Sequence, residues 1–384
     1  MDMADILNKK IHIPMVDLTG QYYRLQAEID GAMQRVLNSG NYINGAEVKA
    51  FSDALSGYLG AEHVIPCGNG TDALQAALMA LDLEPGDEVI TTAFSFVSTV
   101  EVIVLLGLKP VLVDVDPDTF NIDPAKVRDA LTRRTRAIIP VHLFGQGAAM
   151  DEIMEIARER ELFVIEDGAQ SLGAVWQMNG TFQKLGTIGH IGCTSFFPTK
   201  NLGCFGDGGA CFTGDEHLAE RLRMIVNHGS KKKYYNERVG MNSRLDTLQA
   251  AVLMVKLKHL DDFILRRQKV AERYFDELTN VSALKLPRQS GKAQHTFNQF
   301  TVRVGGGLRD DLKDFLAQAG ISTMVYYPVP LHRQPVFAPC CGRNLRLPVS
   351  EMISQEVLSL PIHTEMTEEQ QVTIIQNIKK FFKK

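Results

Sequence analysis

The sequence predicts an α/β protein, with a large domain in which helices cover a mainly parallel sheet and a smaller C-terminal α+β domain. Three observations carry this. Between residues 60 and 213, short apolar runs alternate with segments of helical period, the rhythm of a parallel sheet. After Gly214 that rhythm stops, and a helix-period stretch from Leu245 to about Leu278 runs almost without a breaker. It is longer than the usual ~8–20 residues and suits a bridge between domains. From Pro287 onward strand and helix signals resume on a smaller scale. The expected division is 1–255, including the N-terminal segment, and 256–384, joined by that long helix.

The elements justify the assignment in turn. Strands are expected at EVIT (88–91), PVLVDV (110–115), AIIPVHL (137–143), LFVIED (162–167), CTSFF (193–197) and ACFT (210–213). Between them helical patterns run from Thr71 to Leu81, Phe96 to Leu106, Pro124 to Leu131 and Met150 to Glu161. Asp123 before Pro124 marks one start, a cap followed by proline at the first helical position. A helix from Glu216 to about Asn227 leads into the polar stretch NHGSKKKYYNERVGMNSR. The second domain reads as strand Phe297–Val304, helix Arg309–Ala319, a strand near Thr323–Tyr326 and a terminal helix from Thr367.

The totals exclude several classes. The 384 residues carry 45% apolar and 22% charged side chains and a net charge of −4, so a nucleic-acid binder working through a broad basic field is not expected. The most apolar window, Val100–Leu108, contains Glu101 and falls well short of the ~20 residues of a membrane span. Cysteines at 67, 193, 204, 211, 340 and 341 form no CxxC pair, so neither a metal site nor a disulfide framework is indicated, and they read as reduced core thiols. The stretch MDMADILNKKIHIPMVDL has acidic residues where an export signal has basic ones, and a cytoplasmic protein is expected.

Chemistry concentrates in GCTSFFPTKNLGCFGDGG, residues 192–209, where Lys200 follows an apolar run and precedes a glycine-rich exit. Burial lowers a lysine's pKa and frees its amine to form a Schiff base, although taken alone Lys200 also reads as a loop lysine. In CGNGTDALQAAL (67–78) a glycine-containing loop enters a helix at Thr71, a ready anion site or a plain helix cap. In FVIEDGAQS (163–171) Asp167 ends a strand, at the edge where α/β proteins bind ligands. Its carboxylate suits a protonated ring nitrogen, or a helix cap. Gln170 follows within reach of a ring substituent, while Glu166 points to the other face and serves structure. Phe96 suits stacking on a flat ring, or the core, and Ser195 and Thr199 offer hydroxyls, or merely satisfy backbone groups. Lysine, carboxylate, aromatic ring and phosphate cradle together are the requirements of pyridoxal 5'-phosphate.

On GNGTDAL, EDGAQSLGA, TSFFPTKNLGCFGDGG, VGMNSRLDTLQAA and YYPVPLHRQP, the chain resembles the DegT/StrS nucleotide-sugar aminotransferases, fold-type-I pyridoxal-phosphate enzymes, from about Ile13 to the C-terminal helix. The resemblance implies that Lys200 tethers the cofactor, Asp167 holds the pyridine nitrogen, Gln170 reaches the ring hydroxyl and Phe96 stacks. It assigns Gly70, Thr71 and Ser195 to the phosphate, and Asn242 to the phosphate across a homodimer interface with two shared sites. The pattern is most similar to the subgroup that moves the amino group of L-glutamate to C3 of a UDP-linked 2-acetamido-3-keto-glucuronic acid, for lipopolysaccharide or other surface polysaccharide. There Arg244 would pair with a carboxylate and Tyr327 would line the sugar pocket. Tyr326 stands where that subgroup usually has histidine, with His332 expected at the surface. Alternatives are another keto-sugar, such as a dTDP-3-keto-hexose or a free sugar acid, and a cofactor-binding regulator without catalysis. The sugar dehydratases of the family carry histidine in place of Lys200.

Overall fold

The computed structural model describes residues 12–342 and 344–383; the N-terminal eleven residues weighed above for an export signal lie outside them. A seven-stranded sheet organises the molecule, from β1 (His63–Cys67), β2 (Glu88–Thr92), β3 (Lys109–Val113), β4 (Thr135–Ile139), β5 (Phe163–Asp167), β8 (Ile191–Ser195) and β9 (Gly209–Thr213), in the order β1-β9-β8-β5-β4-β2-β3. Pairing is parallel from β8 through β3, and β9 runs against both of its neighbours. Six strands therefore point the same way. β6 (Val175–Met178) and β7 (Thr181–Lys184) form a separate hairpin, paired through β6 with Ala293–Gln294.

The strands are apolar almost throughout, as a sheet covered on both faces requires. On one side Leu74, Ala77 and Leu78 of helix Gly70–Ala80 join Leu218 and Leu222 of helix Glu216–Ile225 over Ile65, Ile139 and Ile165. On the other, Ile153 and Ile156 of helix Met150–Arg160 pack with Ile138 and Val164. Two helices not anticipated above, Leu18–Ser39 and Ala46–Leu59, pack on helix Thr247–Leu257. Among the described residues no helix is long and apolar enough to cross a membrane.

The single long helix expected from Leu245 to Leu278 is two helices, Thr247–Leu257 and Leu260–Leu278, separated at Lys258 and His259. No proline or glycine causes the break. The first helix is buried on most of its surface against the large body, whereas Val270, Tyr274 and Leu278 of the second join another core. One straight axis does not serve both. That second core covers an antiparallel sheet of Leu284–Lys285, Phe300–Val304 and Val357–Leu360, with helices Arg309–Gln318 and Glu368–Phe382. The strand expected near Thr323–Tyr326 reduces to one bridge, Met324 to Ser359. The expected Phe297–Val304 strand starts at Phe300, because Phe297 has a positive φ of 47°.

All six cysteines are free; Cys67, Cys193, Cys204 and Cys211 are buried, but Cys340 and Cys341 are only half-buried, in the short helix Ala338–Cys341.

Candidate active site

Because β1, β8, β5, β4, β2 and β3 run in one direction, their carboxyl ends fall on one edge of the sheet, and reversed β9 adds its first residue there. Asp167, the last residue of β5, has its backbone fixed by Pro140 O and His142 N of the segment after β4, at 2.9 and 3.0 Å. Its side chain is 4% exposed. Thr99 Oγ1 donates to Oδ2 at 2.8 Å and Ala169 N to Oδ1 at 3.2 Å. Burial raises the carboxyl pKa, and the Thr99 and Ala169 hydrogen bonds and the Lys200 charge offset part of that rise.

Lys200 stands in the turn after β8, its own N–H donating to Phe197 O at 2.9 Å. The side chain is half-buried, with no hydrogen bond or ion pair to its ammonium among the described residues. Burial brings its pKa down to about 8, and the charge of Asp167 opposes that fall. Asn298 of the second body braces the turn, Nδ2 donating to Asn201 Oδ1 at 3.3 Å and Thr199 O at 3.4 Å. Two of the glycines beyond Lys200 admit passing backbone: a Cβ on Gly203 would lie 2.3 Å from Pro198 O, and one on Gly209 2.4 Å from Asn69 O.

The GNGT entry forms helix Gly70–Ala80 with Asn69 as cap, Oδ1 accepting from Asp72 N at 2.8 Å. The N–H groups of Gly70 and Thr71 have no partner among the described residues, which leaves the positive helix end open to an anion. Ser195 lies beside them, since a Cβ on Gly70 would fall 2.8 Å from Ser195 Cβ. Its Oγ accepts from Phe197 N at 3.2 Å and keeps its proton to donate.

Phe96 is 54% exposed beside Tyr327, with ring centroids 6.3 Å apart, whereas Phe94 is fully buried among Phe120, Phe144 and Tyr327. The open ring is the one available for stacking. Gln170 Oε1 accepts from Phe144 N at 2.7 Å and Nε2 donates to Tyr327 Oη at 3.1 Å, so this amide is tied into the wall of the site. Burial raises the pKa of both Tyr326 and Tyr327, keeping two neutral phenols at the rim.

In the GMNSR segment it is Ser243 that points inward. Its Oγ accepts from Gly68 N at 2.8 Å and donates to Asp72 Oδ2 at 2.6 Å, joining this segment to the helix entry. Asn242 is exposed, and the half-buried Arg244 has no carboxylate partner among the described residues. His332 is buried and bonded to Glu351 Oε1 at 3.0 Å, contrary to the surface position expected. The Lys231–Lys233 run is a solvated hairpin in which Lys231 pairs with Glu220 while Lys232 and Lys233 lie over Tyr235 and Tyr234. Glu166 faces away from the site as expected, accepting from Gly186, Ile188 and Gly189 N–H groups at 2.8, 2.7 and 2.6 Å and from His142 Nε2 at 2.8 Å. Thr99 and Ser243 were not anticipated; a hydroxyl in an apolar helix start and a serine in a loop carry no signal of their own.

A lysine amine facing a buried carboxylate, an open aromatic ring and a helix start with free N–H groups, on one edge of a mainly parallel sheet, define a pyridoxal-phosphate transferase. The chain belongs to the DegT/DnrJ/EryC1/StrS aminotransferase family, whose profile matches residues 24–379. It is 46% identical, over 91% of its length and 95% of the relative's, to the UDP-2-acetamido-2-deoxy-3-oxo-D-glucuronate aminotransferase of Pseudomonas aeruginosa. It is also 47% identical, over 97% of its length and 99% of the relative's, to a "Pleiotropic regulatory protein" of Geobacillus stearothermophilus. Among solved structures, S. venezuelae DesV superposes with a TM-score of 0.93 at 40% identity, covering 97% of this chain and 99% of that one. NtdA of Bacillus subtilis, solved with bound cofactor PMP, gives a TM-score of 0.88 at 32% identity, covering 98% and 87%. The protein is accordingly a pyridoxal-phosphate-dependent aminotransferase, and the free helix N–H groups, open Phe96 face and Lys200–Asp167 pair fit that cofactor.

Proposed function

We propose that this enzyme moves the amino group of L-glutamate to C3 of a UDP-linked 2-acetamido-3-keto-glucuronic acid, for lipopolysaccharide or another surface polysaccharide, as a cytoplasmic homodimer with shared sites. The observation that carries the reading is Lys200, an amine of pKa about 8 set against buried Asp167. The 46% identical relative named for a UDP-3-oxo-glucuronate supports the substrate, as does a UDP-N-acetyl-3-dehydro-α-D-glucosamine 3-aminotransferase of Acidithiobacillus ferrooxidans at 42% over 93% of the chain and 95% of the relative.

When bound, pyridoxal 5'-phosphate supplies an electron-withdrawing ring. The Asp167 carboxylate would hold a proton on the ring nitrogen, Phe96 would cover one ring face, and Gly70 N, Thr71 and Ser195 would hold the phosphate. Gln170, which anchors Tyr327, would stand beside the ring hydroxyl. Lys200 Nζ would move the proton from the donor's α-carbon to the cofactor's carbonyl carbon, as general base and then acid, a task suited to an amine whose pKa lies near working pH. Arg244 receives the sugar carboxylate, and Tyr326 and Tyr327 flank the ring. Asn242, exposed in one chain, reaches the partner's phosphate. Exposed Tyr23, Tyr42, Ile43 and Phe205 support a dimer face. The separate cores support division into 1–255 and 256–384.

The 47% identical relative named as a regulatory protein keeps a second reading in view, cofactor binding without turnover. A panel of UDP- and dTDP-linked keto-sugars and free sugar acids, assayed with L-glutamate, tests both. Amination of the UDP-3-keto-glucuronate ahead of the others is expected. Preference for a dTDP sugar would overturn the substrate, and loaded protein that glutamate leaves spectrally unchanged would favour the regulator.

A further inference from the structure

We infer that Thr99 is a positioning residue for the cofactor, its hydroxyl fixing the Asp167 carboxylate that faces the ring nitrogen. The inference rests on the pyridoxal-phosphate reading above and adds a residue to it. Thr99 lies in the first turn of helix Ser98–Leu105 and is 0% exposed. The sheet order β5-β4-β2 carries the segment after β2 across β4 to the end of β5, where Thr99 Oγ1 donates to Asp167 Oδ2 at 2.8 Å. Ser95 Oγ, 3.4 Å from Thr99 Oγ1, extends the chain of hydroxyls.

Among the described residues the Asp167 carboxylate has two donors, of which Thr99 is the side chain. A hydrogen bond to the ionised form holds a buried carboxylate charged. It also sets the orientation of the carboxylate plane, and so the direction in which the oxygens meet a ring nitrogen. The other charged or titratable groups around Asp167 are Lys200 in the turn after β8, His142 after β4, Cys193 on β8 and Tyr327 at the rim. Both ring nitrogens of His142 are engaged elsewhere: Nδ1 accepts from Ala148 N at 3.1 Å and Nε2 is bonded to Glu166 Oε2 at 2.8 Å. Without the Thr99 hydroxyl, Asp167 is a stronger base toward the ring nitrogen. A bound ring would then carry less positive charge, and a lysine linked to it would release its proton at higher pH.

The test compares Thr99→Val, which keeps the shape and removes the donor, with Thr99→Ser, which restores it. Loss of a hydrogen bond to a charged group predicts cofactor binding weaker by about tenfold or more in Thr99→Val. The pH midpoint of the cofactor's visible band should rise in Thr99→Val and return toward wild type in Thr99→Ser. Thermal melting of the cofactor-free proteins shows whether both variants fold; if Thr99→Val does not, Thr99→Ala and Ser95→Ala carry the comparison. An unchanged affinity and midpoint in folded Thr99→Val would overturn the inference. A wild-type protein that binds no cofactor would instead overturn the reading on which it rests.

Discussion

Two lysines of this protein, Lys200 in the turn after β8 and Lys256 in helix Thr247–Leu257, are each brought by burial to a pKa of about 8. Their surroundings differ. Lys200 shares its space with Asp167 on the open edge of the sheet. Lys256 is 2% exposed and lies 4.7 Å over the Phe205 ring, with no carboxylate within salt-bridge distance among the described residues. The depressed pKa is common to both; what distinguishes Lys200 is its position at the edge where strand ends and helix starts converge.

The largest effect should separate these two directly. Lys200→Ala is expected to lose ~10³-fold or more in glutamate-dependent turnover, as removal of an essential acid–base group does. Lys256→Met should keep turnover within a few-fold, and its stability should hold or rise, because a buried unpaired charge is replaced by a shape-matched apolar chain. Comparable turnover losses in the two variants would break the distinction.

Adjacent carboxylates on β5 sharpen it next. Asp167→Asn should lower turnover by ~10²-fold or more with the fold intact, since on the proposed reading the ring nitrogen would lose its anionic partner. Glu166→Gln should act on stability, by ~1–3 kcal/mol, because one amide does not satisfy four buried donors. Denaturant unfolding and steady-state rates, measured on the same preparations, would show the two effects exchanged if the sides of β5 were misassigned.

The two phenylalanines after β2 make a third contrast. Phe94→Ala should cost ~3–5 kcal/mol of stability, whereas Phe96→Ala should leave melting nearly unchanged and weaken cofactor binding up to about tenfold. Equal melting losses would place both rings in the core.

The last contrast is one of pH dependence. For Lys200 and Lys256 the folded pKa of about 8 lies below the ordinary value of 10.5, so between those values the unfolded chain binds more protons. The cost of burying the two charges is in full force below pH 8 and is relieved as pH rises toward 10.5, a stability gain that Lys256→Met should halve. Glu166 has the opposite sign. Burial raises its pKa, but the His142 and backbone donors more than offset this and hold it below 4.5, so its contribution is present above 4.5 and is lost as pH falls through the folded value.

Much of the site was legible in the sequence because it sits at strand ends. Asp167 closes an apolar run and Lys200 follows another, so their strands could be placed, and parallel strands bring their ends together. The GNGT helix entry was legible for the same reason, through its cap and glycine. Thr99 was not, because only the order β5-β4-β2 brings it to Asp167. Ser243 was hidden by its neighbours, Asn242 and Arg244, which carry the more conspicuous chemistry. The reason for the glycine-rich exit after Lys200 was not legible either: Gly203 and Gly209 make way for passing backbone. Helix periodicity ran unbroken through Lys258 and His259; the break there answers to two different cores, which no local pattern records.

The central claim is that Lys200, and not the equally perturbed Lys256, holds the cofactor. Borohydride reduction of the cofactor-loaded protein followed by peptide mass mapping tests this directly. The cofactor should be found fixed to the peptide containing Lys200 and absent from that containing Lys256; a label on Lys256, or on no lysine, would contradict the account.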